Sequence, residues 1–142
     1  MPLSIALFGL SANPPTYTGG HTGIVRFLVN TRLFQQIWIL PVYKHVYDKN
    51  KEFESFEHRL AMCCLSFAEE SSRHCSVHVL DMEKIVQALH ENRIGTIDVV
   101  NYIKEHYTVE INLILGSDTF NDLASGKWKG ETRYILFCHA TS

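Results

Sequence analysis

Short, nearly unbroken apolar runs alternate along the chain with longer stretches in which apolar residues recur every three or four positions. The first pattern is that of strands buried on both faces, and the second that of helices with one apolar side. Strands are predicted over residues 4–8, 37–42, 75–80, 111–115 and 134–138, punctuated by Gly9, Pro41 and Gly116. A first helix is predicted over 21–33, where Ile24, Phe27 and Leu28 recur at helical spacing. A second spans 57–69, capped by Ser55, with Leu60, Cys63, Cys64 and Phe67 on its apolar side. A third covers 82–92 and ends before Gly95. Thr96 caps a fourth, with Val99, Val100, Ile103 and Tyr107 on one face.

Strands that alternate with helices predict an α/β fold: a Rossmann-like, three-layer parallel sheet with helices on both faces. In such sheets ligands bind beyond the carboxyl ends of the strands. That rule selects the loops after Phe8, Pro41, Leu80, Leu115 and Cys138. The 142 residues contain no internal repeat, low-complexity tract or linker, so a single domain over 1–142 is expected.

Composition narrows the function classes. A net charge of -2 lacks the excess of basic residues that a nucleic-acid-binding surface needs, so any phosphate chemistry must come from a local site. The cysteines Cys63, Cys64, Cys75 and Cys138 form no CxxC pair, and the adjacent pair points to different faces of a helix. Buried thiols in a reducing compartment are expected, with no metal site. The first residues carry no signal-like segment, and no apolar run reaches membrane-spanning length. The expectation is an intracellular, cytoplasmic protein with neither membrane nor nucleic-acid partner; a nuclear or organellar place and a homo-oligomer stay open.

The first loop carries the candidate chemistry. From Gly9 to His21 it holds Leu10, Ser11, Asn13, Pro14, Pro15, Thr18, Gly19 and Gly20, between a strand end and a helix start. Glycines let backbone N–H groups approach an anion, and a helix N-terminus adds a favourable dipole. His21 can donate to a phosphate oxygen, and Ser11 and Thr18 offer hydroxyls. Thr18-x-Gly20-His21 resembles the (H/T)xGH signature of the nucleotidylyltransferase superfamily, and Asn13 to Pro15 resembles its preceding turn. The two stand further apart here than in most members.

Later segments extend the resemblance to the nicotinate/nicotinamide mononucleotide adenylyltransferase family, whose fold is Rossmann-like. A proline-ended strand, a basic loop and a helix bearing His58-Arg59 follow the family's order. There the resemblance implies a phosphate contact from Lys49, with Lys44 as competitor, and Arg59 orienting the loop. The stretch from Thr96 resembles a helix start near the pyridine ring in the family, and Thr96 is a cap, a ligand contact or both. Gly116-x-Asp118, followed by Trp128, resembles the family's strand end, with Asp118 accepting from ribose hydroxyls or a purine edge and Trp128 stacking on the pyridine.

The resemblance implies adenylyl transfer from ATP to nicotinate or nicotinamide mononucleotide. His21, Thr18 and Lys49 are the catalytic candidates. Leu10, Ser11, Lys44, Arg59, Thr96, Gly116, Asp118 and Trp128 are the candidates for binding. Magnesium arrives on ATP. Two other readings are a sibling transferase, such as a phosphopantetheine adenylyl- or CTP-dependent cytidylyltransferase, and a nucleotide-binding protein without turnover. Relatives carry an ISSTxxR segment after the last strand, and the sequence reaches Ser142 without one. A domain shortened at its C-terminus relative to the family is therefore expected.

Overall fold

The computed structural model describes residues 3–10, 21–43, 55–92, 94–116 and 133–137. In sequence order these form β1 (Leu3–Leu10), α1 (His21–Thr31), β2 (Gln36–Pro41), α2 (Phe56–Phe67), β3 (Ser76–Val79), α3 (Met82–Ala88), α4 (Thr96–His106), β4 (Val109–Gly116) and β5 (Arg133–Phe137). All strand pairings are parallel, and the sheet order is β3-β2-β1-β4-β5. The chain starts at the middle strand, winds outward to β3, then crosses back to β4 and out to β5.

Side-chain alternation splits the core into two halves. Ala6, Phe8, Ile37, Ile39 and Ile114 face one way and pack with Val25, Leu28 and Val29 of α1 and Cys63 and Phe67 of α2. Ile5, Leu7, Trp38, Leu40, Ile111 and Leu113 face the other way, onto Met82 and Val86 of α3 and Val99, Val100 and Ile103 of α4. The three-layer, doubly covered parallel sheet expected from the alternation of patterns is thus the fold. Asn112 is the buried polar residue of β4, and its amide donates to Ser4 Oγ (3.0 Å) and to the Ile5 carbonyl (3.1 Å) on β1.

Several helix details differ from expectation. In α1 the sheet selects the stripe Thr22, Val25, Leu28 and Val29, leaving Phe27 58% exposed on the far side. Apolar residues almost encircle this helix, so spacing alone did not fix its face. It ends at Thr31 rather than at residue 33, because Arg32 takes a left-handed conformation (φ 58°). In α2 the buried stripe is Phe56, Arg59, Cys63 and Phe67, with Leu60 at its margin and Cys64 exposed. Ser55 caps it as expected, its hydroxyl accepting from the His58 N–H. Cys63 and Cys64 do face apart. Burial pushes the Cys63 thiol up to about 12, which keeps it an inert apolar group. Cys75 is also buried, and Cys138 lies outside the described residues.

Helix α3 stops at Ala88, short of the expected residue 92. Gln87 is the cause: its amide donates to the Asn92 carbonyl, and its side-chain oxygen accepts from the Ile94 N–H, turning the chain so that Ile94 enters the core. Thr96 is not the cap of α4. Gly95 holds that position in extended backbone, the Asp98 carboxylate accepts its N–H at 2.7 Å, and Thr96 is the first helical residue, exposed. Tyr107 ends this helix rather than lying on its buried face, and its ring meets Trp38 edge-on at 5.4 Å.

The free edge of β3 has its own arrangement. Ser76 and Leu80 donate their N–H groups inward, to Gln35 and Ile39, so the Val77 N–H points away from β2; it is taken by the Ser71 hydroxyl at 2.8 Å. Among the described residues no helix is long and apolar enough to cross a membrane.

Ile103 is fully buried under α4, whereas Leu65 on α2 is 81% exposed. Ile103→Ala is expected to lower the unfolding free energy by about 2–5 kcal/mol, and Leu65→Ala by no more than about 0.5 kcal/mol. Urea denaturation measures both, and similar losses would contradict the burial pattern.

Candidate functional site

Strand order reverses between β1 and β4: β2 and β3 lie on one side of β1, and β4 and β5 on the other. This is the switch point at which open parallel sheets leave a crevice. β1 ends at Leu10 and β4 at Gly116, which pairs with Phe137. Leu10 turns its side chain into the core, and its carbonyl accepts the Val42 N–H at 2.9 Å. Its side chain is therefore packing, and its carbonyl ties the ends of β1 and β2 together.

His21 opens α1, the helix that follows β1, which sets it at the carboxyl edge of the sheet. It is partly buried, with its ring 6.0 Å from that of Phe8 and tilted by 59°. Burial lowers its pKa below the usual imidazole value, favouring the neutral ring. The first turn of α1 itself contains no acidic residue, so that turn brings no negative charge to the positive end of the helix dipole. A partly desolvated imidazole at a helix N-terminus is a setting that suits an anion.

The end of β2 is held from two helices. Arg59 of α2 is 4% exposed, and its guanidinium donates to the carbonyls of Val42 and Tyr43 while lying over the Phe56 ring at 5.7 Å. The Tyr43 ring meets Phe56 edge-on at 5.1 Å. From α3, Glu83 Oε1 accepts the Tyr43 N–H in a long contact of 3.4 Å. Arg59 thus binds the backbone immediately after β2. Glu83 was missed by sequence reading. A glutamate in a first helical turn reads as an ordinary complement to the dipole, and its partner lies forty residues away.

Of the candidate residues, Leu10, His21, Arg59, Thr96 and Gly116 are described, and all belong to the carboxyl-edge side. Thr96 does so because α4 runs from there toward the amino edge, where β4 begins. Ser11, Thr18, Lys44, Lys49, Asp118 and Trp128 lie outside the described residues.

Burial pushes the Glu83 carboxyl from its ordinary 4.5 up to about 7, against the opposing pulls of the Tyr43 N–H and the Arg59 charge. Between those two values the folded chain holds a proton that the unfolded chain has released. Stability from this group is therefore greatest below the lower value, falls as pH rises through the window, and is flat above it. The full difference is at most about 3 kcal/mol. Glu83→Gln is expected to gain stability relative to the parent protein between about pH 5 and pH 8. Denaturation curves across that range measure the gain, and a gap that does not change with pH would contradict the burial of the carboxyl.

No family model matches the sequence. A Myxococcus xanthus protein named as a probable nicotinate-nucleotide adenylyltransferase is 30% identical over 129 residues, which is 89% of this chain. The match spans 60% of the length of that relative. Among solved structures, the Plasmodium falciparum nicotinic acid mononucleotide adenylyltransferase, complexed with NaAD, superposes with a TM-score of 0.67 at 20% identity, covering 95% of this chain and 74% of that one. A Vibrio parahaemolyticus structure named as a nicotinate-nucleotide adenylyltransferase gives 0.65 at 20% identity, covering 100% and 81% respectively. At such identity the structural likeness is one of fold, and the Myxococcus alignment adds likeness of sequence. Over most of its length this chain is similar in sequence to that Myxococcus protein, and it shares the fold of the two adenylyltransferase structures.

Proposed function

We propose that the chain forms the nucleotide-binding core of an enzyme that joins nicotinate or nicotinamide mononucleotide to the AMP part of ATP, releasing pyrophosphate. The observation that carries this reading is the place of His21: first residue of the helix after β1, beside the strand-order reversal, in a first turn without acid. The relationship to the nicotinate-nucleotide adenylyltransferases supplies the substrate class, and the Plasmodium enzyme was solved with a dinucleotide, NaAD.

The mononucleotide phosphate attacks the α-phosphorus of ATP in line, and pyrophosphate leaves. Such a transfer needs no protein nucleophile; positioning and charge stabilisation carry the rate. His21, Thr18 and the N–H groups opening α1 hold the ATP phosphates. Lys49 adds positive charge, with Lys44 as the alternative, and Ser11 contacts the mononucleotide phosphate. Gly116 lets a ribose or base lie close to backbone, Asp118 accepts from hydroxyls or a purine edge, and Trp128 stacks on the pyridine. Leu10 takes part through backbone only, Arg59 through the loop it holds, and Thr96 from the edge of the pyridine end. Magnesium enters as part of its ATP complex, and the acid-free first turn of α1 suits that anionic complex rather than a bare cation.

The test is pyrophosphate release and product identity, with ATP or CTP as donor and with nicotinate mononucleotide, nicotinamide mononucleotide or phosphopantetheine as acceptor. A dinucleotide from ATP and a pyridine mononucleotide is expected. His21→Ala is expected to lower kcat/KM by about 100-fold or more, as for loss of a charge-stabilising donor. Product from phosphopantetheine or CTP alone would assign the chain to a sibling activity. Mononucleotide binding without turnover would make it a binding protein.

A further inference from the structure

We infer that Glu83 is a positioning residue for the nucleotide cleft: from α3 it fixes the backbone at the end of β2 that Arg59 grips from α2, and so sets nucleotide affinity. The inference rests on the adenylyltransferase reading. The geometry points to it in three ways. First, the polar groups of Val42 and Tyr43, which follow β2, are divided between two helices on opposite faces of the sheet. Arg59 takes both carbonyls and Glu83 takes the Tyr43 N–H. Second, the Val42 N–H is bonded to the Leu10 carbonyl, so the same dipeptide is joined to the end of β1, the strand whose Phe8 ring lies 6.0 Å from that of His21. A shift at Tyr43 therefore moves groups on the strand that lies beside His21. Third, Glu83 is a costly choice as a mere acceptor. Its carboxyl lies largely desolvated within the field of Arg59, while its neighbour Lys84 pairs outward with Glu57. Polar groups held at such a cost gather at ligand-binding edges, where they position what the ligand meets.

The experiment uses the full chain and reads the clamp and the ligand separately. Amide exchange at Tyr43, followed by NMR without ligand, reads the clamp. Calorimetric titration with ATP and with nicotinate mononucleotide reads affinity. Glu83→Ala is expected to speed exchange at Tyr43 about tenfold or more and to weaken at least one ligand by about tenfold, the scale of one lost hydrogen bond. The Leu80 amide, which donates to Ile39 within the sheet, is expected to stay unchanged. Glu83→Gln, which keeps an acceptor, is expected to restore both readouts. Should Glu83→Ala fail to fold, Glu83→Met fills the space without an acceptor and takes its place. Unchanged Tyr43 exchange, or faster exchange with unchanged affinity, would overturn the inference. A parent protein that binds neither ligand would overturn the adenylyltransferase reading and the coupling with it, while Tyr43 exchange would still decide the clamp.

Discussion

A strand with parallel neighbours on both edges and helices over both faces has little side left for water, and β1, in the middle of the sheet, is such a strand. Its stretch from Ile5 to Phe8 is buried throughout, and its backbone pairs with β2 and β4. Burial on both faces obliges the polypeptide to lay helices on each, so it winds outward one way and returns over the other face. The reversal of strand order falls at the carboxyl edge, the place where open parallel sheets leave a crevice. The hydrophobic effect, acting on apolar runs remote from any ligand, thus decides where a polar site can form.

Polar contacts then set what that crevice can hold. Within the sheet they are sparse: Asn112 joins β4 to β1, and most other buried side chains are apolar. At the carboxyl edge they gather, with Arg59 and Glu83 dividing the backbone groups of Val42 and Tyr43. A buried guanidinium that meets carbonyl oxygens keeps its charge while satisfying backbone acceptors that the strand no longer pairs. The fold is closed by nonspecific packing and finished at one edge by directional bonds.

The sequence makes the five strands, the parallel sheet and its carboxyl edge legible, because residues buried on both sides form unbroken apolar runs. Helix faces are less legible. Phe27 and Val25 are both apolar, and only the sheet beneath α1 decides which is buried. Helix ends depend on single side chains that act across a turn: Gln87 stops α3 early, and Asp98 moves the cap of α4 to Gly95. In the candidate site, the TxGH-like pattern singles out His21 as a candidate because the pattern is local to one loop. Arg59 is found through its neighbours in a motif. Glu83 escapes because nothing near it in the sequence signals a partner on another strand.

The Ser71 hydroxyl on the Val77 N–H has a consequence for the company this protein keeps. An unpaired strand at the border of a sheet invites a foreign strand to zip onto it, and a short border strand with an outward donor already satisfied offers a poor template. Any copy approaching along β3 would first have to displace that hydroxyl. At that one position, the bond a neighbouring strand would need is already made within the chain.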